Sequence, residues 1–191
     1  MKKMPSTLTN MILSLTLIAC VAGLGLSVVS AVTAEPIALA RQAKLEAAIN
    51  MVLPEFHRLG EPEVREVDGG VLTFYRAYDE NDELIGTAIA TFSLKAFTGG
   101  RPFRLMAGFL PDGTIYNIDV LEHSETPGLG DKIEHRKSTW PRQFQGKHPA
   151  TFDLRVKNDG GQVDAITAAT ITARAYSDAV QRAFDNLKGN R

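Results

Sequence analysis

Two short segments of this 191-residue chain carry residue types that can do chemistry. The first, Ser124-Glu125-Thr126-Pro127-Gly128-Leu129-Gly130, sets a carboxylate and a hydroxyl ahead of a Pro-Gly-Leu-Gly run. Proline fixes its own φ and glycine lets backbone approach closely, so this loop has a set shape. It reads either as an ordinary rigid turn or as a surface built to meet a flat partner. The second, Asp164-Ala165-Ile166-Thr167-Ala168-Ala169-Thr170-Ile171-Thr172, alternates small residues and threonines ahead of an apolar-periodic stretch. Threonine hydroxyls at a helix start commonly cap the unpaired N–H groups there. The same amides and the positive end of the helix dipole also favour a phosphate, for which small alanines leave room.

Most other chemistry is missing from the sequence. There is no GxSxG elbow, HExxH pair or GxxxxGK[ST] phosphate loop. Gly128-Leu129-Gly130 begins like a dinucleotide fingerprint but lacks the third glycine and the strand–helix unit around it. His57, His123, His135 and His148 are scattered, and none pairs with another at metal-ligand spacing. His123 and Glu125 can share one side of an extended segment, but such a pair reads as a solvated loop rather than a metal site. No metal site and no catalytic residue is expected. Trp140 and Phe144, at i and i+4, read as a core pair. With 21 Lys and Arg against 22 Asp and Glu, the net charge of −1 offers no basic surplus for nucleic acid. A single cysteine, Cys20, excludes a disulfide framework.

The elements that must position these segments follow from periodicity. Leu45, Ala48, Ile49, Val52, Leu53 and Phe56 make one apolar face of a helix running from about residue 36, with Pro54 at its frayed end. Residues 71–78 and 84–92 read as strands of a hairpin, and residues 103–110 and 114–121 as a second one across Pro111-Asp112-Gly113. A short helix over 132–140, a strand over 151–156, a turn at Gly160-Gly161 and a strand over 163–166 are expected next. Tyr176, Ala179, Val180, Ala183, Phe184 and Leu187 then lie on one face of a closing helix. Hairpins flanked by terminal helices imply an α+β domain with a mainly antiparallel sheet.

Charge is unevenly placed. From Met4 to Ala34 no residue is charged, and the remainder after residue 34 carries −3. Residues 11–33 read as a transmembrane anchor: Met11–Val32 would extend about 33 Å as a helix, enough for a hydrocarbon core of about 30 Å. Lys2 and Lys3 precede it and Glu35 follows, so the positive-inside rule keeps residues 1–10 in the cytoplasm and exports residues 34–191. Val32-Thr33-Ala34 also resembles a signal-peptidase site, and Leu17-Ile18-Ala19-Cys20 a lipobox. Either would export the domain as well.

Taken together, the anchor, the helix ending near Leu53-Pro54, the ETPGLG loop, the Trp140/Phe144 region and the threonine-rich junction resemble the FMN-binding RnfG family of the Rnf ion-translocating electron-transport complex. The related NqrC family of the sodium-pumping quinone reductase is the alternative within the class. The resemblance covers almost the whole chain. It implies FMN attached covalently, through a phosphoester, to the last threonine of a D-x-x-[ST]-G-A-T motif, here Thr170. A flavin transferase using FAD and magnesium makes that bond. Asp164 matches the motif's acid and is assigned to recognition by the transferase. Thr167 matches the Ser/Thr position, while Ala168 departs from the usual glycine. Thr167, Ala168, Ala169, Ile171 and Thr172 would surround the phosphate end. Glu125, Thr126 and Leu129 would line the flavin, with Leu129 packed on the isoalloxazine. The resemblance further implies an electron relay rather than a stand-alone enzyme, working with membrane and iron–sulfur subunits. It would sit as a single-pass protein of the bacterial inner membrane, flavin domain on the periplasmic side, coupling ferredoxin–NAD electron transfer to ion movement. A non-redox assembly protein that has lost flavin through the Ala168 change is the rival from another class.

Overall fold

The computed structural model describes residues 7–99 and 102–187, so Lys2 and Lys3 lie outside the described residues. The chain divides into two compact units, one ending at Ala43 and one beginning at Lys44. The first consists of helix α1 (Leu8–Val52) as far as Ala43. Its side chains are nearly all exposed, and its apolar stretch is long enough to cross a membrane. No helix boundary separates this stretch from the segment read as starting near residue 36. Pro36 lies inside α1, where a proline forfeits one backbone hydrogen bond.

The second unit is built on an antiparallel sheet. Its strands are β1 (Arg58–Leu59), β2 (Glu63–Val67), β3 (Gly70–Tyr78), β4 (Leu84–Phe92), β5 (Arg104–Phe109) and β6 (Ile115–Glu122). From β3 to β6 they run as a meander, and β1 and β2 both pair along the outer edge of β3. The two expected hairpins are present as β3–β4 and β5–β6. β1 and β2 escape the sequence reading because their side chains are mostly charged. Arg65 lies 4.4 Å over the Phe74 ring and donates to the Asn186 carbonyl, so a charged strand covers core without looking apolar.

Period-2 alternation gives the sheet two different faces. Ala77, Ala88, Ala90 and Met106 meet Ala48, Ile49, Val52 and Leu53 from the end of α1. Packing there is so close that a β-carbon on Gly108 would stand 1.6 Å from the Val52 carbonyl oxygen, and only glycine fits. The opposite face presents Leu72, Phe74, Ile89, Leu105, Phe109, Ile118 and Val120 to helix α2 (Thr170–Leu187). Tyr176, Ala179, Val180 and Ala183 are fully buried against it, as their spacing requires. Phe144 is fully buried as well, with Trp140 at 5.4 Å and Tyr176 at 5.1 Å, which makes Trp140/Phe144 the core pair expected.

Between β6 and α2 the chain is less regular than its sequence suggests. The helix expected over 132–140 is absent. Two 3-10 turns, Gly130–Ile133 and Trp140–Phe144, stand on either side of plain turns. Ser138 Oγ takes the Trp140 N–H at 2.9 Å, and Pro141 disfavours helical backbone just before it, so no helix propagates. The strands expected over 151–156 and 163–166 reduce to one parallel bridge, Val156–Val163. The Asp153 carboxylate takes the Arg155 N–H at 3.0 Å and replaces a ladder bond with a local one. Val156 and Val163 are nonetheless buried, so the apolar pattern marked core rather than strand.

Candidate functional site

The loop after β6 and the start of α2 face each other and form one cleft of about 260 Å³. The loop is shaped by its own backbone. Leu129 N–H donates to the Thr126 carbonyl at 3.2 Å, and Gly128 sits at φ +78°. Proline at the second position and a left-handed glycine at the third make this a type II turn. The Asp131 carboxylate takes the Gly128 N–H, and that bond together with Lys137 at 3.1 Å holds it below the usual carboxylate range.

His123 anchors the loop's other end. Its Nδ1 accepts the Glu125 N–H at 3.1 Å, which leaves Nε2 as the protonated nitrogen donating to Glu134 Oε1 at 2.9 Å. Burial raises the Glu134 pKa, but hydrogen bonds from His123 and Lys137 outweigh it and hold the group low. Both ring nitrogens are therefore engaged within the loop, in keeping with a structural rather than a ligand histidine. The Glu125 side chain turns to α2 instead: Thr172 Oγ1 donates to Glu125 Oε2 at 2.5 Å. Gly130 makes that meeting possible, since a β-carbon there would lie 2.8 Å from the Glu125 β-carbon and 3.0 Å from Thr172 Oγ1.

Across the cleft, α2 opens at Thr170, which is half-buried. The first-turn N–H groups of a helix have no partner within it. Among the described residues no threonine hydroxyl caps them, because Thr172 is committed to Glu125 and neither Thr167 nor Thr170 donates or accepts a bond at this end. That leaves the geometry of an anion site rather than a side-chain cap. Ala168 lies at φ +63°, the left-handed conformation for which glycine is the usual residue. Trp140 Nε1 donates to the Asp164 carbonyl at 2.7 Å, and the Asp164 N–H donates to Gln143 Oε1 at 2.7 Å, so the core pins the entry to the junction.

Eight of the residues singled out from the sequence line this cleft: Glu125, Thr126, Leu129, Ala168, Ala169, Thr170, Ile171 and Thr172. Thr167 is exposed and forms no part of the cleft wall. Asp164 also stands outside, with its carboxylate 2.5 Å from Lys157. Phe97 is a cleft residue that sequence reasoning missed; it is 61 % exposed, in the turn after β4. An aromatic standing among Lys95, Thr98 and Gly99 was the only signal available for it.

The residues present fit a flavin mononucleotide. Apolar Phe97, Leu129 and Ile171 offer ring contacts, Glu125 Oε1 is buried with no hydrogen-bond partner, and uncapped amides wait at Thr170. At about 260 Å³ the cleft lies just under the ~300–1,000 Å³ usual for ligand sites, so it would hold part of such a molecule and leave the rest at the surface.

Comparison with known proteins gives this arrangement its class. Residues 99–185 match the family described as FMN-binding domain. The G subunit of the ion-translocating oxidoreductase complex from Shewanella oneidensis is 34% identical over 176 residues, covering 82% of this chain and 78% of that one. The corresponding protein of Cereibacter sphaeroides is 35% identical over 178 residues, 89% of this chain and 80% of the relative. That of Vibrio cholerae is 33% identical over 192 residues, covering 91% and 87%. The crystal structure of Shewanella oneidensis NqrC is 21% identical, with a TM-score of 0.45 over 74% of each chain. The chain belongs to the G-subunit family of ion-translocating oxidoreductase complexes, and its N-terminal helix is long and apolar enough to cross a membrane.

Proposed function

We propose that this protein is the electron-transfer subunit of an Rnf-type complex and carries FMN esterified through its phosphate to Thr170. One observation carries the reading: Thr170 is the first residue of α2, on the wall of a cleft whose other wall is the ETPGLG loop. In the attachment reaction Thr170 Oγ attacks the flavin-side phosphorus of FAD. The pyrophosphate bond breaks, AMP leaves, and the hydroxyl proton is released. A hydroxyl is a weak nucleophile, so a flavin transferase with magnesium must activate it, and the exposed Asp164 is the group it would recognise. The uncapped N–H groups of α2 would then hold the phosphate. Leu129 and Phe97 would pack on the ring, and Thr126 would offer a polar edge. When bound, FMN supplies the capacity to take up and release electrons singly or in pairs.

The same reading makes residues 11–33 a transmembrane anchor, with residues 1–10 in the cytoplasm and residues 34–191 in the periplasm. Electrons would pass between FMN and cofactors of membrane and iron–sulfur subunits, linking ferredoxin and NAD to ion movement. The left-handed Ala168 speaks against the non-redox alternative, because the backbone follows the path a glycine would take despite the substitution.

The test is denaturing electrophoresis of the full chain co-expressed with a flavin transferase, viewed under ultraviolet light. Wild type gives a fluorescent band and Thr170→Val a dark one. A dark wild type, or a Thr170→Val band as bright as wild type, overturns the assignment.

A further inference from the structure

Glu125 is 5 % exposed and holds one carboxylate oxygen, Oε2, against Thr172 Oγ1. The other, Oε1, has no partner, although Glu125 lines the cleft. An orphaned buried acceptor costs the folded chain its full desolvation penalty, and more so when the group is charged. Such an arrangement persists where a ligand donor completes it. The neighbouring acids are already compensated: Asp131 by the Gly128 N–H and Lys137, Glu134 by His123 and Lys137. Among the described residues Glu125 is the buried carboxylate that keeps a free oxygen.

We infer that Glu125 positions the flavin ring by accepting one of its N–H groups, and that its charge lowers the flavin's reduction potential. The inference rests on the FMN reading above. A flavin offers two polar ends to the cleft. Its phosphate is excluded from the neighbourhood of Oε1, since two unscreened negative groups repel in a poorly solvated site. The phosphate therefore takes the α2 amides at Thr170, and the ring, with a neutral N–H donor on its edge, takes Glu125. On accepting two electrons and one proton the ring gains one negative charge. A fixed carboxylate beside it opposes that gain, and burial weakens the screening that would hide the effect. Thr172 sets the strength of the opposition, because its hydroxyl draws charge onto Oε2 and fixes the carboxylate's orientation.

The experiment is a dithionite titration of the full, detergent-purified chain bearing covalent FMN, with redox mediators, at one fixed pH. Glu125→Gln keeps the shape and an oxygen for Thr172 while removing the charge. We expect the ratio of reduced to oxidised flavin at a fixed potential to rise at least tenfold, about 30 mV for a two-electron couple. Thr172→Val removes the donor and leaves the charge, and it shifts the ratio the opposite way. General loosening of the cleft would not move the two variants in opposite directions. A fluorescent Glu125→Gln protein whose ratio changes less than twofold overturns the inference and leaves the FMN reading standing. Should Glu125→Gln fail to fold, Thr172→Val decides alone: a lower ratio supports the inference, and an unchanged or higher one overturns it. A dark wild-type band overturns both.

Discussion

The two walls of the cleft use the left-handed region of backbone space in opposite ways. In the loop, Pro127 and Gly128 form a turn whose φ of +78° costs a glycine nothing, and no atom lies within 4 Å of where a β-carbon would be. At the junction, Ala168 adopts φ +63° with a β-carbon present. A β-carbon in this region costs about 1–2 kcal/mol. The surrounding structure must impose it, and the means are visible: Trp140 and Gln143 fix Asp164, while buried Ile166 and Ala169 fix the far side. The loop is shaped by its own residues, whereas the junction is shaped by the core it leans on.

The largest effect is expected where the walls touch. Gly130→Ala places a β-carbon 2.8 Å from the β-carbon of Glu125, which no rotamer change can move away. Overpacking of this kind costs about 1–3 kcal/mol. Chemical denaturation should show a loss in that range, together with loss of in-gel flavin fluorescence. A variant as stable and as fluorescent as wild type would mean that the Glu125–Thr172 contact does not join the walls.

A mirror-image pair sharpens the comparison. Gly128→Ala meets open space, so it introduces backbone strain alone and should cost about 1 kcal/mol. Ala168→Gly relieves strain already present and should stabilise the domain by about 1 kcal/mol, part of the relief being offset by the greater freedom of glycine when unfolded. Equal and opposite shifts of the urea midpoint support the contrast. A loss of stability in Ala168→Gly would show that the alanine methyl contributes packing that outweighs its strain.

What the sequence made legible divides along the same line. The turn of the loop could be read from the sequence, because Pro127 and Gly128 each have a local conformational meaning that survives in the fold, whereas the reason for Gly130 shows only against Glu125 and Thr172. Helix α2 and the two hairpins were legible for a similar reason, since their periodicity is local. Ala168 was visible only as a departure from a motif; that it keeps a left-handed conformation is decided by distant Trp140 and Gln143. Phe97 reaches the cleft from the turn after β4, and nothing in its neighbours' types foretells that. The charged strands β1 and β2 were missed because Arg65 and Glu63 pack through their stems and their ion pairs, which apolar alternation does not register. The segments 132–140, 151–156 and 163–166 were overread as regular structure because burial of Ile133, Val156 and Val163 produces apolar patterns without helix or ladder.

The smallest effect separates the walls by pH. Hydrogen bonds to ionised groups hold much of the loop: Asp131 lies below its ordinary range through the Gly128 N–H and Lys137, and Glu134 through His123 and Lys137 against the opposing pull of burial. For carboxyls depressed in the folded state, the stabilisation is fully present above the ordinary range near 4 and is lost as pH falls through their lower folded values. Lys137, raised by Glu134 and Asp131, contributes below its ordinary value near 10.5 and loses that contribution only in strong alkali. The junction is held differently, by an indole N–H and an amide that do not titrate in this range, and its Lys157–Asp164 pair is solvent-exposed and worth little. Amide-exchange protection, corrected for intrinsic rates, should therefore fall for residues 124–137 between about pH 6 and about pH 3. It should hold for residues 164–171. A parallel fall in both segments would place the two walls in one cooperative unit and assign the loop's acid sensitivity to the domain as a whole.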